Sequence, residues 1–248
     1  VTALVPAPAT GRLLLDGIGA EVVDRAAWGA EPAIEWPPER SPVRAVVVHH
    51  TSTIDDAPDP LAMVRRVQRF HAHHRGWGDI GYSFVVLRDG RIVEGREGTL
   101  ASPAPLVVQG GHALGHNPGT VGVAIAGRFH DHLPTEAAWA AAVELIATVV
   151  RTCDLDPVGG PVVLDNGRQL PAVISAHRHA CETTCPGDAL VSALPALRYA
   201  VVDRCRGTAS GASPSPAGSP PGSAAGDVPR RHRRSSSPSG PDADQNAG

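Results

Sequence analysis

Residues 44–50, RAVVVHH, are a short β-branched apolar run that ends in two adjacent histidines. Such a run reads as a buried strand, and it needs other strands and a cover around it. The rest of the chain supplies them. YSFVVLR (residues 82–88) reads as a second strand, and the turn Asp89-Gly90 leads into RIVEG, so these two form a hairpin. VGVAIAG (121–127) and AVISAH (172–177) read as further strands. Between them lie helical patterns. Asp59 suits the N-cap of a helix whose Met63, Val67, Phe70 and His74 share a face. Thr135 suits the cap of another, with Trp139, Val143, Ile146 and Val150 inward. A third helix is expected over Leu190 to Asp203. A sheet covered by helices follows, an α/β fold in a single domain over residues 20–206. Residues 1–19 form an N-terminal extension, and residues 207–248, rich in Ser, Pro and Gly, a disordered tail. The RRHRR run of that tail (230–234) reads as a solvated basic patch.

A net charge of −3 over 248 residues gives no sign of a nucleic-acid binder, and no apolar run reaches the roughly 18 residues of a membrane span. The first residues lack the basic start of a signal peptide. Cys153, Cys181, Cys185 and Cys205 are too few for a disulfide scaffold, although Cys153 and Cys205 would bridge if the two helix ends meet.

Neighbouring side chains on a strand point to opposite faces, so His49 and His50 cannot both serve one site. A second histidine-bearing strand end occurs in SAHRHACETTCPGD (175–188), where His177 ends a strand and Cys185 follows in a loop fixed by Pro186-Gly187. His49, His177 and Cys185 are borderline-soft ligands that suit zinc, and three protein ligands leave a fourth position open, as in catalytic zinc sites. Read from residue types alone, they are either ligands of one metal or polar loop residues around a buried thiol. In FHAHHRG, His71, His73 and His74 lack a carboxylate or thiol to complete a metal site. They read as surface or packing histidines near a helix C-terminus.

Six motifs stand in order along residues 24–198: DRAAWGA, VVVHHTS, GWGDIGYSFVV, GRIVEGR, GGHALGHNPGTVGVAIAGRF and SAHRHACETTCPGD. Together they resemble the peptidoglycan recognition protein and type 2 N-acetylmuramoyl-L-alanine amidase family. The resemblance implies a central mixed β-sheet flanked by helices, and one zinc ion per chain on His49, His177 and Cys185. It also implies a catalytic Tyr82 that positions water or assists proton transfer, and a Thr183 that donates to the oxyanion. The implied reaction is hydrolysis of the amide between N-acetylmuramic acid and L-alanine, with zinc polarising the carbonyl and activating water. The alternative it carries is a non-catalytic module that binds peptidoglycan; such members typically lack the ligand Cys or the Tyr, and both are present here. Trp77, His112 and Asn117 are the implied substrate contacts, and the Gly76-Trp77 pair goes with meso-diaminopimelate-type stems. A secreted or cell-wall-associated monomer acting on peptidoglycan or muropeptides is the expectation, with no nucleic acid as partner. Two positions depart from the pattern. His179 stands where HRD would place an Asp, to support the loop less firmly. Cys181 adds a thiol that would either compete for zinc or pair with another cysteine.

Overall fold

The computed structural model describes residues 13–34, 39–53 and 58–209. In chain order its strands are β1 (Val22–Val23), β2 (Arg40–Pro42), β3 (Ala45–His50), β4 (Phe84–Val86), β5 (Ile92–Glu94), β6 (Leu106–Val108), β7 (Thr120–Ile125), β8 (Val162–Val163), β9 (Gln169–Leu170) and β10 (Ile174–Ala176). The helices are α1 (Arg25–Trp28), α2 (Pro60–Arg69), α3 (Glu136–Thr152) and α4 (Asp188–Ala209). Six strands make one sheet in the order β1-β5-β4-β7-β3-β10; β2 pairs with β6 and β8 with β9. The sheet is mixed, since β4 and β5 are antiparallel while β10, β3, β7 and β4 run parallel.

Alternation along β3 sorts its side chains. Val46 and Val48 enter the larger core, where Trp139, Leu145 and Ile146 of α3 and Leu190, Leu194 and Leu197 of α4 cover one face of the sheet. On the other face Trp28, Met63 and Val64 from α1 and α2 pack on Val85, Val93 and Ala124. The expected caps form: Asp59 accepts from the Ala62 N–H at 2.8 Å, and Thr135 from the Ala138 N–H at 3.2 Å. The packed body also takes in Leu14 and Leu15, ahead of residue 20, and α4 runs on to Ala209, past residue 206. Most of the sequence read as a tail, RRHRR included, lies outside the described residues, as do residues 1–12.

One expectation is corrected, and one open alternative is decided. The α2 stripe does not continue to His74: at Phe70–His74 the helix widens to a π turn, and Arg75 N–H donates to Phe70 O. The wider turn leaves His74 exposed and brings His71 inside. No disulfide forms among the described cysteines. Cys205 Sγ lies 3.7 Å from Ala147 O, and Cys153 is about 9 Å further along the α3 axis, beyond bridging reach.

Asp79 is fully buried and ties α1, α2 and the segment after β5 together. It accepts from Arg25 Nη1 at 3.0 Å, Gln68 Nε2 at 2.8 Å and Glu97 N–H at 2.9 Å. Asp79→Ala would leave the Arg25 guanidinium and the Gln68 amide short of an acceptor. The expected loss is about 3 kcal/mol, read as a lower urea midpoint at unchanged m-value.

Candidate metal centre

β10 lies parallel to β3 with Ala176 opposite Val48, so the next residues, His177 and His49, stand side by side beyond the paired ends. Their ring centroids are 4.4 Å apart. The open ends of parallel strands are where α/β sheets build sites. His49 shares the β3 face of Ala45 and Val47; His50 shares that of Val46 and Val48, and its Nδ1 accepts the Phe129 N–H at 3.3 Å. The pair thus splits between two faces.

His177 begins a short 3-10 turn, His177–His179. The chain then loops out and back, held by Arg178 N–H to Cys185 O at 3.1 Å and by Arg178 Nη1 to Asp188 at 2.7 Å. Gly187 closes the loop at φ +97°, and a Cβ there would fall 2.1 Å from Phe129 O, so only glycine fits. This delivers Cys185 to the two histidines. One ligand atom from each of His49, His177 and Cys185 lies within 4.8 Å of the others, and their exposures are 0, 1 and 4 %.

A hydrogen-bond chain fixes how His49 presents itself. The Thr120 hydroxyl donates to His116 O, so it accepts from His112 Nε2 at 3.3 Å. His112 Nδ1 is then bare and accepts from His49 Nε2 at 3.1 Å, which leaves the His49 Nδ1 lone pair facing Cys185 Sγ at 3.8 Å. Both ring nitrogens of His177 are buried with no hydrogen-bond partner. An imidazole sealed from water in this way is costly unless something else engages it. Burial pushes the His177 pKa down to about 4 and the Cys185 thiol up to about 12, so the trio is uncharged without an ion. A divalent cation would supply what is missing: it would engage the bare nitrogens and favour the thiolate, whose sulfur the His50 N–H already approaches at 3.4 Å. Two imidazoles and a thiolate are a zinc-type donor set.

Beside the trio opens a cleft of about 750 Å³, counting its open mouth. One wall is the α2 stripe of Met63, Arg66, Val67 and Phe70, continued by His71 and Arg75; the other carries the hydroxyls of residues 51–53, Thr183 and Thr184. Tyr82 lies at the floor, 3 % exposed, its hydroxyl donating to His50 O at 3.4 Å and its ring 5.2 Å from that of His49. Burial, then the nearby Cys185, raise its pKa, so it stays protonated at neutral pH. Thr183 Oγ1 accepts the Cys185 N–H at 3.2 Å, which leaves its own proton to donate.

The residues expected to contact substrate, Trp77, His112 and Asn117, do not line this cleft. His112 is 3 % exposed and bonds His49, not the cleft. Its ring packs over Gly122, where a Cβ would lie 2.5 Å from it. Asn117 Oδ1 accepts the N–H groups of His112 and Ala113, both at 2.8 Å, and so shapes the loop that holds His112. Trp77 backs His71, with ring centroids 4.8 Å apart. Cys181 is outside the ligand group; its Sγ is 3.8 Å from Leu114 O. His179 takes a loop-supporting bond, its Nδ1 accepting the Ala176 N–H at 3.1 Å.

His71 was missed. It is 6 % exposed, lines the cleft beside Tyr82, and accepts the Gly81 N–H on Nδ1 at 3.2 Å, so Nε2 is the donor end of its ring. Its place depends on the π turn, which has no sequence signature.

His112→Ala should weaken zinc binding by about 10- to 100-fold, because His49 would lose the acceptor that fixes its tautomer. Zinc competition against a chromogenic chelator measures this directly.

Residues 39–188 match the family described as N-acetylmuramoyl-L-alanine amidase (Amidase_2). The human N-acetylmuramoyl-L-alanine amidase is 37 % identical over 175 residues, covering 68 % of this chain; the chain spans only 27 % of that protein's length. The peptidoglycan-recognition protein LB of Drosophila melanogaster is 31 % identical over 179 residues, covering 71 % of this chain and 68 % of that protein. Its solved structure superposes with a TM-score of 0.56, over 70 % of this chain and 91 % of that one. A solved structure of peptidoglycan recognition protein LE in complex with tracheal cytotoxin, 28 % identical, superposes at 0.55 over 69 % of this chain and 90 % of that one. Since the matched span contains His49, His177 and Cys185, and these relatives share the sheet around them, the chain belongs to the N-acetylmuramoyl-L-alanine amidase family, together with the peptidoglycan recognition proteins.

Proposed function

We propose that the protein is a zinc-dependent amidase that hydrolyses the bond between N-acetylmuramic acid and L-alanine in peptidoglycan. The observation that carries this is the sealed His177 ring beside the bare Nδ1 of His49 and the Cys185 thiol. His49, His177 and Cys185 would hold one zinc. When bound, zinc supplies a Lewis acid for the scissile carbonyl and for water.

The chain's own residues do the rest. Thr183 donates its free hydroxyl proton to the oxygen that becomes negative when water adds to the carbonyl. The protonated Tyr82 hydroxyl, which donates to His50 O in this structure, turns its proton to orient the attacking water. His71, with Nε2 as donor, holds a carbonyl of the stem peptide against the α2 wall. The hydroxyl wall faces the sugar. As the C–N bond breaks, the water's oxygen stays on the lactyl carboxylate and its protons pass to the L-alanine amine and to solvent.

The relatives support a ligand class. The peptidoglycan recognition protein LE structure is of a complex with monomeric diaminopimelic acid-type peptidoglycan. With Gly76-Trp77 in this chain, stems of that type are the proposed substrate, met at or outside the cell wall by a monomer. Recognition without cutting is the second reading, and the same complex favours it.

Zinc titration of the metal-free protein, followed by muropeptide hydrolysis, tests the proposal. One equivalent should bind and restore cleavage. Muropeptide binding with no zinc uptake and no cleavage would leave the second reading.

A further inference from the structure

The loop that delivers Cys185 carries a second thiol, Cys181. Both cysteines hang on one peptide group, that between His177 and Arg178. Its carbonyl accepts the Cys181 N–H at 3.1 Å, and its N–H donates to Cys185 O at 3.1 Å. The two backbones therefore lie on either side of a single peptide unit, with Cys181 N no more than about 8.5 Å from Cys185 O. Residues 182–184 between them form neither helix nor strand, and Glu182 and Thr184 are exposed. Cys181 is partly exposed, and its Sγ makes a weak contact with Leu114 O at 3.8 Å. Cys185 is 4 % exposed and belongs to the ligand trio. One short loop thus holds an outer thiol that solutes can reach and an inner thiol that faces the metal centre.

We propose that Cys181 and Cys185 form a reversible disulfide, and that this bridge and zinc exclude one another. The second half of the proposal rests on the zinc reading of His49, His177 and Cys185. The thiolate of Cys181 attacks one sulfur of a small-molecule disulfide. One thiol leaves with the electron pair, and Cys181 keeps the other half as a mixed disulfide. Cys185 then attacks the Cys181 sulfur, and the second thiol leaves. The two cysteine protons end on the two released thiols, so the cysteine pair is oxidised and the small disulfide reduced. The bridge asks the Cα atoms to come to about 5.5–6 Å, a shift that falls on Cys181 and residues 182–184, outside the sheet and α4. Once bridged, Cys185 has no thiolate to give, and two neutral imidazoles remain. In the other direction, zinc on Cys185 occupies the sulfur that must resolve the mixed disulfide. Each state therefore disfavours the other.

The test treats the full chain with glutathione disulfide, zinc-free and zinc-loaded, and reads two quantities. Peptide mass mapping follows the segment that holds both cysteines, and competition against a chromogenic chelator follows zinc uptake. In the zinc-free wild type the segment should become lighter by two hydrogens, zinc uptake should be lost, and dithiothreitol should restore both. The zinc-loaded wild type should oxidise about ten-fold more slowly or less. Cys181→Ser should take up zinc before treatment and keep that uptake after it. Its side chain sits in the exposed part of the loop, so uptake before treatment also shows that the variant is folded. A segment that stays reduced, a glutathione adduct that persists on Cys181, or uptake lost equally in the wild type and Cys181→Ser overturns the proposal. A reduced wild type that takes up no zinc removes the zinc reading and with it the exclusion; the mass of the segment still decides whether the bridge forms.

Discussion

Cys185→Ala is expected to lose zinc and hydrolysis together while staying folded. The substitution removes one sulfur at a site 4 % exposed and leaves His49 and His177, two neutral ligands without the anionic one. Zinc held by two imidazoles alone exchanges readily, so metal content should fall from about one per chain toward zero after dialysis. Muropeptide cleavage should fall to background with it. Calorimetry separates this from unfolding. Added zinc at about a thousand times its Kd should stabilise the wild type by about 4 kcal/mol and leave the variant's midpoint where it was. A variant that keeps its zinc would place the metal elsewhere.

Tyr82→Phe is the second large effect, and it should divide the site differently. The ring packs against Ile80, Val85 and Ala124, so the fold keeps its contacts. What is lost is one hydroxyl, 3.4 Å from His50 O and a ring's width from His49. Zinc content should be unchanged, KM close to that of the wild type, and kcat lower by about 10²- to 10³-fold, the range seen when one positioned donor is removed. A rise in KM with kcat unchanged would point instead to a ground-state binding role. The burial that keeps the phenol protonated makes Tyr82 a donor across the whole neutral range. The account therefore gives it no part as a base.

Much of this arrangement is written in short local patterns. The alternation of AVVVHH assigns Val46 and Val48 to one core and turns His49 away from His50; the same period appears in the structure. Asp59 and Thr135 start helices because their side chains satisfy N–H groups three residues on, a purely local bond. The convergence of His49, His177 and Cys185 is not local. Nothing in the spacing says that β10 lies beside β3, and only the ordered motifs suggested it.

The elements missed are those decided by tertiary packing. β1 and β8 are two residues long, too short for a periodic signal. The π turn that carries His71 inward changes the period partway along an otherwise ordinary helix. His112 belongs with His49 because Gly122 leaves room for its ring and Thr120 sets its tautomer, and the motif GGHALGHN carries no sign of either. The Cys153–Cys205 bridge fails for a comparable reason: α4 passes α3 with Cys205 beside Ala147, an offset that helix ends read from sequence do not reveal.

The most direct test of the central claim is product analysis. A purified disaccharide–peptide muropeptide is incubated with the zinc-loaded protein and the products are weighed by mass spectrometry. The account predicts two species, the free disaccharide with its lactyl carboxylate and a stem peptide with a free L-alanine amine. Both should be absent when zinc is removed by a chelator and return when it is restored. An intact muropeptide, bound by the zinc-loaded protein but never divided, would contradict the account and make the cleft a site of recognition alone.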